Sequence, residues 1–381
     1  MNKSYCFSAA VLIACSSLRA AEVALPQALQ HEVQTAITKG LEWLVAHQKP
    51  DGAWSDEKNP AMTALPLWAL AASGRTQYAS QVDQAVAFIL SKAQPDGGIY
   101  VPDPQRGGAG LGNYNTSLCM MGLHATGRKD VIRVIQKARE YTASTQLTGD
   151  DQHAGGFGYD RGGRRHTDLT NTGMAIDAMR RTQSVEDLRP AGEKRADLNW
   201  DAVLKYVENM QQKEGEDKGG FLYTHSFAPA GNPAAGGAQR GGQGDEGRAR
   251  PQLRSYGSIT YVGMLSMIHA QLTRDDPRVR SAFDYCTKHW TLDENPGQGG
   301  QGIYFYYNIL TRALSAAGID AIPQPDGSAL AWREALIRKV ISLQRPDGSW
   351  VNENNRWWEN DPVLVTSYSL LALEFASGLT R

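Results

Sequence analysis

The chain alternates between two kinds of apolar pattern. Segment 27–47 places Leu41, Leu44 and Val45 at helical spacing, with polar residues on the opposite face. Segment 61–75, which begins AMTALPLWALAA, is apolar on nearly every face, and a helix of that kind is buried. The alternation therefore predicts that amphipathic outer helices and apolar inner helices follow one another along the chain.

Six such pairs can be assigned. The outer helices are expected at 27–47, 80–92, 131–146, 200–212, 277–290 and 330–344. The inner helices are expected at 61–75, 115–126, 168–181, 255–272, 303–317 and 363–376. Closing the pairs into a ring gives every apolar face a partner without special end caps. The expected fold is all-α, an (α/α)6 toroid with a double ring of helices that forms one domain over residues 21–381.

A short motif recurs where outer helices end. It is complete in KGLEWLVAHQKPDGAW at 39–54, where a Pro-Asp-Gly turn leads to an aromatic residue, and partial copies follow. A Gln side chain can satisfy backbone groups at a helix end, and Gly allows a turn that a Cβ would obstruct. The residues that define the motif in its first and last copies are Trp43, Gln48, Gly52, Trp54, Gln344, Gly348 and Trp350.

These residues match the Gln-Trp repeat of squalene cyclases. From residue 21 onward the chain resembles the terpenoid cyclase and protein prenyltransferase superfamily. The resemblance implies an α/α toroid, in agreement with the pairing of helices. The motif itself is structural, and one fold hosts many reactions, so the chemistry must be inferred from other residues.

The cyclase branch of this superfamily implies an acid in a particular place. Class II cyclases protonate an alkene with the middle acid of an Asp-x-Asp-Asp motif at the start of an inner helix. The counterpart here begins at Asp168, but Thr170 stands where the acid belongs, and a hydroxyl is too weak an acid. The usual cyclase acid is therefore not found, and Asp168 is expected to cap its helix. For a cyclase-type enzyme, the catalytic candidates are Asp168, Asn171 and Tyr256.

The prenyltransferase branch implies a zinc ion held by an Asp-x-Cys pair and a later His. Asp284, Cys286 and His289 are the right residue types, but they fall inside a predicted outer helix rather than at the start of an inner one. The last inner helix has Val365 and Thr366 where that branch has His-Thr. We therefore predict neither a metal site nor a cofactor.

Aromatic residues concentrate near the starts of the inner helices, where a toroid opens its central cavity. Such side chains would line an apolar pocket or stack on sugar rings. Tyr304 and Tyr306 would also stabilise positive charge in a cyclase-type reaction. The residues expected to line the cavity are Trp68, Tyr261, Tyr304, Tyr306, Tyr368 and Trp358.

The first twenty residues have the layout of a secretory signal. Lys3 precedes an apolar run at 9–15, and small residues follow near position 20. Residues 1–20 are therefore expected to be a signal peptide, and the protein to reach the periplasm or cell envelope. An alternative processing would attach a lipid at Cys15, which would be the protein's only contact with a membrane.

Composition excludes some classes of partner and of fold. The formal net charge is −1, so nucleic-acid binding by broad electrostatic attraction is not expected. Only Cys119 and Cys286 lie beyond the signal, so no disulfide framework holds the fold. The segment 228–251 is rich in Gly, Ala, Gln and Arg, and we interpret it as an insertion over one face of the barrel that could contact a protein partner.

Three functional hypotheses follow. The leading one is an exported toroid that binds a bulky apolar ligand of the isoprenoid type, with catalysis left open. The second is a polysaccharide lyase or glycosidase, which needs carboxylates and basic or phenolic groups in a cleft. The third is a non-catalytic protein-interaction scaffold. The second hypothesis would use Arg164, Arg165, Asp168, Arg254, Tyr256 and Glu359.

Overall fold

A computed structural model describes residues 25–104, 110–160, 166–225 and 253–379. The expected signal peptide with Cys15 and the glycine-rich segment 228–251 lie outside the described residues. Arg164 and Arg165 lie outside them as well.

The described residues form twelve α-helices that alternate between an outer and an inner ring. The outer helices are α1 (Gln27–Ala46), α3 (Ala79–Leu90), α5 (Ile132–Thr145), α7 (Trp200–Asn209), α9 (Pro277–Lys288) and α11 (Trp332–Ser342). The inner helices are α2 (Ala61–Ala72), α4 (Gly112–Ala125), α6 (Leu169–Arg181), α8 (Gly257–His269), α10 (Ile303–Ala316) and α12 (Pro362–Ala376). Each inner helix packs against the next, and α12 packs against α2, which closes the ring. The expected all-α (α/α)6 toroid is confirmed.

Short elements fill some of the connections. One-turn and two-turn 3-10 helices lie at Thr76–Tyr78, Gln183–Leu188 and Arg356–Trp358. Between α10 and α11, strands β1 (Ile322–Pro323) and β2 (Ala329–Leu330) pair antiparallel. Because Leu330 belongs to this pair, α11 begins slightly later than the apolar pattern predicts.

Burial explains why the two helix classes have different sequences. In α12 every residue from Val363 to Ala376 is buried, and an inner helix of this kind can be apolar on all faces. In α7 the buried side chains are Val203, Tyr206 and Val207, which lie on one face. The outer ring thus carries the polar surface, and the inner ring carries the core.

The Gln-Gly-Trp motif joins consecutive outer helices. The Trp54 indole donates a hydrogen bond of 2.8 Å to a carbonyl in the last turn of α1. Gln48 donates to the carbonyl of Gly52 at 3.1 Å and to that of Gln81 in α3 at 3.0 Å. Gly52 has φ +88°, and a Cβ there would lie 2.3 Å from the Gln84 carbonyl oxygen. The turn at the end of α1 is therefore anchored directly on α3.

The last copy makes the same contacts between α11 and α1. The Trp350 indole donates to a carbonyl of α11 at 2.8 Å, and Gln344 donates to the carbonyl of Ala36 at 2.9 Å. Gly348 has φ +94°, and a Cβ there would lie 2.5 Å from the Lys39 carbonyl oxygen. These contacts join the last outer helix to the first and close the outer ring.

A buried ionic cluster occupies the centre of the barrel near the last turns of the inner helices. The Asp177 carboxylate pairs with Arg312, with Arg181 at 2.8 Å and with His269 at 2.9 Å. The Arg312 and Arg181 guanidinium groups lie over the Trp68 ring, at 5.2 and 5.3 Å from its centroid. Burial and the nearby Arg181 lower the pKa of His269 to about 3, so its imidazole is neutral.

Two further properties bear on function. Among the described residues, none of the helices combines the length and the apolar character needed to cross a lipid bilayer. Cys119 and Cys286 are both buried and free, so neither takes part in a disulfide.

Candidate functional site

A cavity of about 530 Å³ lies at the end of the barrel where the inner helices begin. Every inner helix contributes a residue from its first turns or from the loop before it. Because all six helices start at this end, the first-turn backbone N–H groups that have no partner within their own helix also lie here. Representatives from α2 to α12 in order are Met62, Tyr114, Thr170, Tyr256, Phe305 and Tyr368.

Aromatic and apolar side chains form most of the cavity wall. Met62, Leu111, Met174 and Leu364 add aliphatic surface to the rings, and no Lys, Arg or His from the described part of the chain lines the cavity. The volume lies in the range of about 300–1,000 Å³ that small-molecule pockets have. The wall therefore suits a bulky apolar ligand. Its aromatic members are Tyr114, Tyr159, Tyr223, Tyr256, Phe305, Trp357, Trp358 and Tyr368.

Trp357 and Trp358 form an exposed aromatic rim at the mouth of the cavity. Their exposed fractions are 42% and 50%. They have φ angles of +60° and +63°, which is uncommon for residues other than glycine and costs backbone energy. Tyr159, which also lines the cavity, is 37% exposed. Strained, solvent-exposed aromatic residues of this kind are typical of ligand sites rather than of cores.

Three of the residues named from the sequence line the described cavity. Tyr368 and Trp358, from the expected cavity lining, and Tyr256, from the expected catalytic set, all line the cavity. Burial raises the pKa values of Tyr256 and Tyr368 far above the usual range, so both phenols stay neutral.

The other four expected lining residues lie in the barrel core instead, which corrects the expectation. Tyr261 and Tyr306 pack against each other with ring centroids 5.8 Å apart. Tyr304 is buried and donates a long hydrogen bond of 3.4 Å to the Val351 carbonyl. Trp68 belongs to the ionic cluster at the other end of the barrel. The physical reason is that neighbouring positions on a helix point in different directions, so only some residues of an inner helix face the axis.

Asp168 caps α6 behind the cavity wall. It is fully buried; its Oδ1 accepts the Asn171 backbone N–H at 2.8 Å, and its Oδ2 accepts the Asn171 side-chain Nδ2 at 2.7 Å. Burial raises the pKa of Asp168 to about 6, although both hydrogen bonds favour the ionised carboxylate. Thr170, which the sequence resemblance compares with the cyclase acid, lines the cavity and carries a hydroxyl.

Glu359, unlike Asp168, is a carboxylate that lines the cavity, as Asp160 also does. It is fully buried in the loop before α12, and its Oε1 accepts the Phe305 N–H in the first turn of α10 at 2.8 Å. Its Oε2 accepts from Asn352 Nδ2 at 2.7 Å. The residue before α10 is Gly302, which has no side chain to cap the helix. Glu359 therefore accepts the Phe305 N–H from a different loop. Burial raises the pKa of Glu359 to about 7 against these hydrogen bonds.

Other polar groups of the wall differ in how well they are paired. Asn295 accepts the Ser258 backbone N–H at 2.9 Å and donates to the Ser258 hydroxyl at 3.0 Å. The hydroxyls of Tyr159 and Tyr223 lie 3.2 Å apart. By contrast, the buried Oδ1 of Asn59 has no hydrogen-bond partner in the described structure. It is an acceptor to which a ligand could donate.

The remaining sequence candidates lie elsewhere. Arg254 pairs with Asp217 at 2.8 Å and is not part of the described cavity wall. Cys286 is buried in α9, and burial raises the pKa of its thiol well above the usual range. Within the described ranges, no group of three or more His, Cys, Asp or Glu side chains could hold a metal ion.

Comparison with known proteins gave matches to solved structures alone: no family model and no curated protein matched the chain. A variant of the type II terpene cyclase MstE from Scytonema, in complex with geranylgeranyl dihydroxybenzoate, is 12% identical. Its TM-score is 0.56, with 93% of this chain and 100% of that chain covered. The α-1,6-mannanase GH76A of Salegentibacter, in complex with α-1,6-mannotetrose, is 10% identical. Its TM-score is also 0.56, with 93% and 99% covered.

A structure described as a wild-type glycosidase is 13% identical to the chain. Its TM-score is 0.52, with 94% of this chain and 100% of that chain covered. Identities this low show the fold alone, and at that level the resemblance to the terpenoid cyclases is confirmed. The chain has the α/α toroid fold that these terpene cyclase and glycosidase structures share.

Proposed function

We propose that the protein binds a bulky, mostly apolar ligand of the isoprenoid type in its central cavity. The observation that carries the proposal is the aromatic wall of the cavity, which has a volume of about 530 Å³ and lies at the end of the barrel where the inner helices begin. A cyclase with the same fold holds a geranylgeranyl compound, which supports this class of ligand. The layout of residues 1–20 supports export, so we infer that the ligand is met in the periplasm or cell envelope.

The proposed activity is binding rather than cyclisation by the usual route. Alkene protonation needs a strong acid aimed into the cavity, and Thr170 cannot supply one. Asp168 has both of its oxygens engaged by Asn171 behind the wall. The structure therefore supports a site that encloses an apolar chain, with no proton donor at the position where a class II cyclase keeps its acid.

A carbohydrate-active enzyme is the second candidate function. Exposed tryptophans are good stacking platforms for sugar rings, and Trp357 and Trp358 form such a surface at the cavity mouth. Asp160 and Glu359 also line the cavity, and glycosidases use a pair of carboxylates. The aromatic and mostly apolar wall favours the isoprenoid proposal, whereas a sugar chain would fit a longer and more polar groove better.

The test has two parts: identification of the native ligand, and an affinity measurement on a variant whose cavity is filled. The protein is purified from its own cells, and its mass is measured under native conditions before and after organic extraction. Isothermal titration then measures the affinity for geranylgeraniol. Met174 lines the cavity and Leu188 is 61% exposed away from it, so Met174→Trp fills the cavity and Leu188→Trp is the matched control.

We expect a stoichiometric isoprenoid in the extract and a Kd for geranylgeraniol that rises about tenfold or more in Met174→Trp. Leu188→Trp should leave the affinity unchanged, because its indole lies outside the cavity. A protein that carries no lipid and takes up no geranylgeraniol would overturn the proposal. Hydrolysis of a mannan or another polysaccharide by that same preparation would establish the second candidate instead.

A further inference from the structure

The polar atoms of the cavity wall are mostly hydrogen-bond acceptors. One of these acceptors is the carboxylate of Glu359, and the described lining of the cavity includes no Lys, Arg or His side chain. Asn59 adds a buried amide oxygen that has no partner among the described residues. A ligand that fits this wall should therefore bring hydrogen-bond donors and positive charge.

Glu359 is the strongest of these acceptors. It is fully buried, and its two oxygens are fixed by the Phe305 N–H and the Asn352 amide. None of the ion pairs formed within the described ranges includes Glu359, so no counter-charge for it is found there. A buried carboxylate without a counter-charge is costly, and a bound cation would remove that cost.

The phenol groups that face Glu359 are neutral. Tyr304 and Tyr307 of α10 and Tyr368 of α12 lie near enough for Glu359 to oppose their ionisation, and burial raises all three pKa values. Tyr114 of α4 shares a hydrogen bond with Tyr368 and has a pKa raised to about 12 by burial. On the loop of Glu359 itself, the Arg356 guanidinium lies over the Trp357 ring, 4.3 Å from its centroid. These phenols stay uncharged at neutral pH.

The aromatic wall adds a second attraction for positive charge. The faces of Tyr and Trp rings carry partial negative charge, and a cation that is removed from water gains from each of them. Tyr114, Phe305 and Tyr368 line the cavity together with Glu359. A carboxylate surrounded by aromatic rings is the arrangement that recognises organic ammonium groups.

We propose that the ligand of this cavity carries a protonated amine on its apolar body and that the ammonium group binds against Glu359 and its aromatic neighbours. This inference rests on the proposed function and narrows the ligand class from isoprenoid-type molecules in general to cationic amphiphiles. An ammonium group carries the positive counter-charge that Glu359 lacks. It can also donate a hydrogen bond to the Asn59 amide oxygen. The apolar body then occupies the aliphatic part of the wall.

Other head groups fit the wall less well. An alcohol can donate one hydrogen bond but leaves the carboxylate without a counter-charge. A carboxylate or phosphate head would place like charges together at a site without a described basic side chain, and such repulsion is costly in a dry cavity. The three head groups therefore give a clear order of affinity, with the amine first and the anion last.

Three probes with one apolar body test the order. Isothermal titration of the purified protein at about pH 8 compares farnesylamine, farnesol and farnesoic acid, since ordinary carboxyl groups are ionised there. We expect farnesylamine to bind about tenfold more tightly than farnesol, and farnesoic acid to bind most weakly. In Glu359→Gln the preference for the amine should shrink to about twofold, which corresponds to the loss of the charge. Farnesol binding by the same variant shows whether the cavity is intact.

Asn59→Leu keeps the size of the side chain and removes the amide oxygen. It should weaken farnesylamine more than farnesol, and it keeps the inference testable if Glu359→Gln does not fold. The affinity for farnesylamine should also rise with pH, because Glu359, with its pKa raised to about 7 by burial, is protonated below that pH. Ionisation of Asp168, whose pKa is raised to about 6, should add a smaller rise in the affinity for farnesylamine around that pH. Farnesol should show no such rise.

The outcomes separate this inference from the proposed function. If farnesol and farnesylamine bind equally in both the wild type and Glu359→Gln, the inference fails and the apolar cavity stands. Tightest binding of farnesoic acid would also overturn it. If none of the three probes binds, and geranylgeraniol does not bind either, the proposed function itself fails.

Discussion

Glu374 carries a buried carboxyl group that the surrounding protein does not satisfy. It lies in α12, is fully buried, and neither of its carboxyl oxygens has a hydrogen-bond partner among the described residues. Burial raises its pKa well above 4.5, although Arg75 acts in the opposite direction. A carboxyl in this state is protonated in the folded protein at pH values where the unfolded chain has already released the proton.

This raised pKa makes stability depend on pH in a definite direction. The contribution of Glu374 is complete below the unfolded pKa and declines as pH rises toward the folded pKa. Glu374→Gln should therefore gain stability relative to the wild type as pH rises from about 5 to about 8, by at most about 1.4 kcal/mol for each pH unit between the unfolded and the folded pKa. Urea unfolding at both pH values measures the difference.

Glu32→Gln is the matched control, because Glu32 is exposed on α1 and should show no such trend. A Glu374→Gln difference that stays constant between the two pH values would contradict the prediction.

At the scale of single residues, the sequence predicted the features that depend on contacts between near neighbours in the chain. Asp168 was expected to cap α6, and its partner Asn171 is three positions away. Glu359 was named only within the carbohydrate hypothesis, because its partner Phe305 is 54 residues away in the chain. The place of Trp68 in an ionic cluster was also unpredictable, since a helix that is apolar on all faces does not indicate which face meets the axis.

At the scale of helices, a recurring threonine links the turns to the inner ring. Near the start of an inner helix, the threonine hydroxyl accepts a backbone N–H from the residue that ends the preceding turn. The sequence analysis missed this regularity: the threonine follows the N–H donor by 15 to 17 positions in three of the five pairs, but by 9 and 39 positions in the other two. The N–H donors are Trp54, Ile99, Phe157, Phe221 and Trp350, and their acceptors, in order, are Thr63, Thr116, Thr172, Thr260 and Thr366, at 2.9–3.2 Å.

Thr172→Val tests the strength of this link. Phe157 is fully buried, so its N–H would lose its acceptor without gaining water, at a cost of about 1–3 kcal/mol in the free energy of unfolding. Chemical denaturation measures the loss. Thr35→Val, on the exposed side of α1, should cost less than about 0.5 kcal/mol. Equal effects of the two substitutions would show that the buried hydrogen bond contributes little.

The helices themselves were predictable because their signal is local. An apolar period of 3.6 residues extends over several turns, and the predicted bounds lie within a few residues of those in the structure. The strands Ile322–Pro323 and Ala329–Leu330 were not predicted, because two residues are too few for an alternating pattern to appear.

At the scale of the whole molecule, closure of the ring depends on one interface. α1 packs against α11 and α12, and the turn at Gly348 meets the backbone of α1 at Lys39. Closure itself was expected from six helix pairs. The sequence did not predict that one end of the barrel would hold an aromatic cavity and the other an ionic cluster. This difference depends on which long side chains reach the axis from several helices at once.

Gly348→Ala should weaken the interface that closes the ring. The added Cβ meets the Lys39 carbonyl oxygen at 2.5 Å and also imposes a strained φ of +94°. Gly318→Ala is the control, since Gly318 has φ +64° but nothing within 4 Å of an added Cβ. We expect a cost of about 1 kcal/mol for the control and about 3 kcal/mol or more for Gly348→Ala, measured by thermal unfolding. Similar costs for the two substitutions would show that backbone strain, and not the contact with the Lys39 carbonyl, accounts for the loss of stability.

The closed ring also constrains how the chain can fold as it is made. The hydrogen bond from Gln344 to Ala36 joins residues 308 positions apart, and α2 finds its second inner neighbour only in α12. A ribosome releases the first helices long before the last, and contacts between distant residues form slowly. Until α12 emerges, the apolar side of α2 has no partner within the chain. We therefore expect the nascent protein to expose this apolar side of α2 until synthesis is complete, which would make it a target for chaperones.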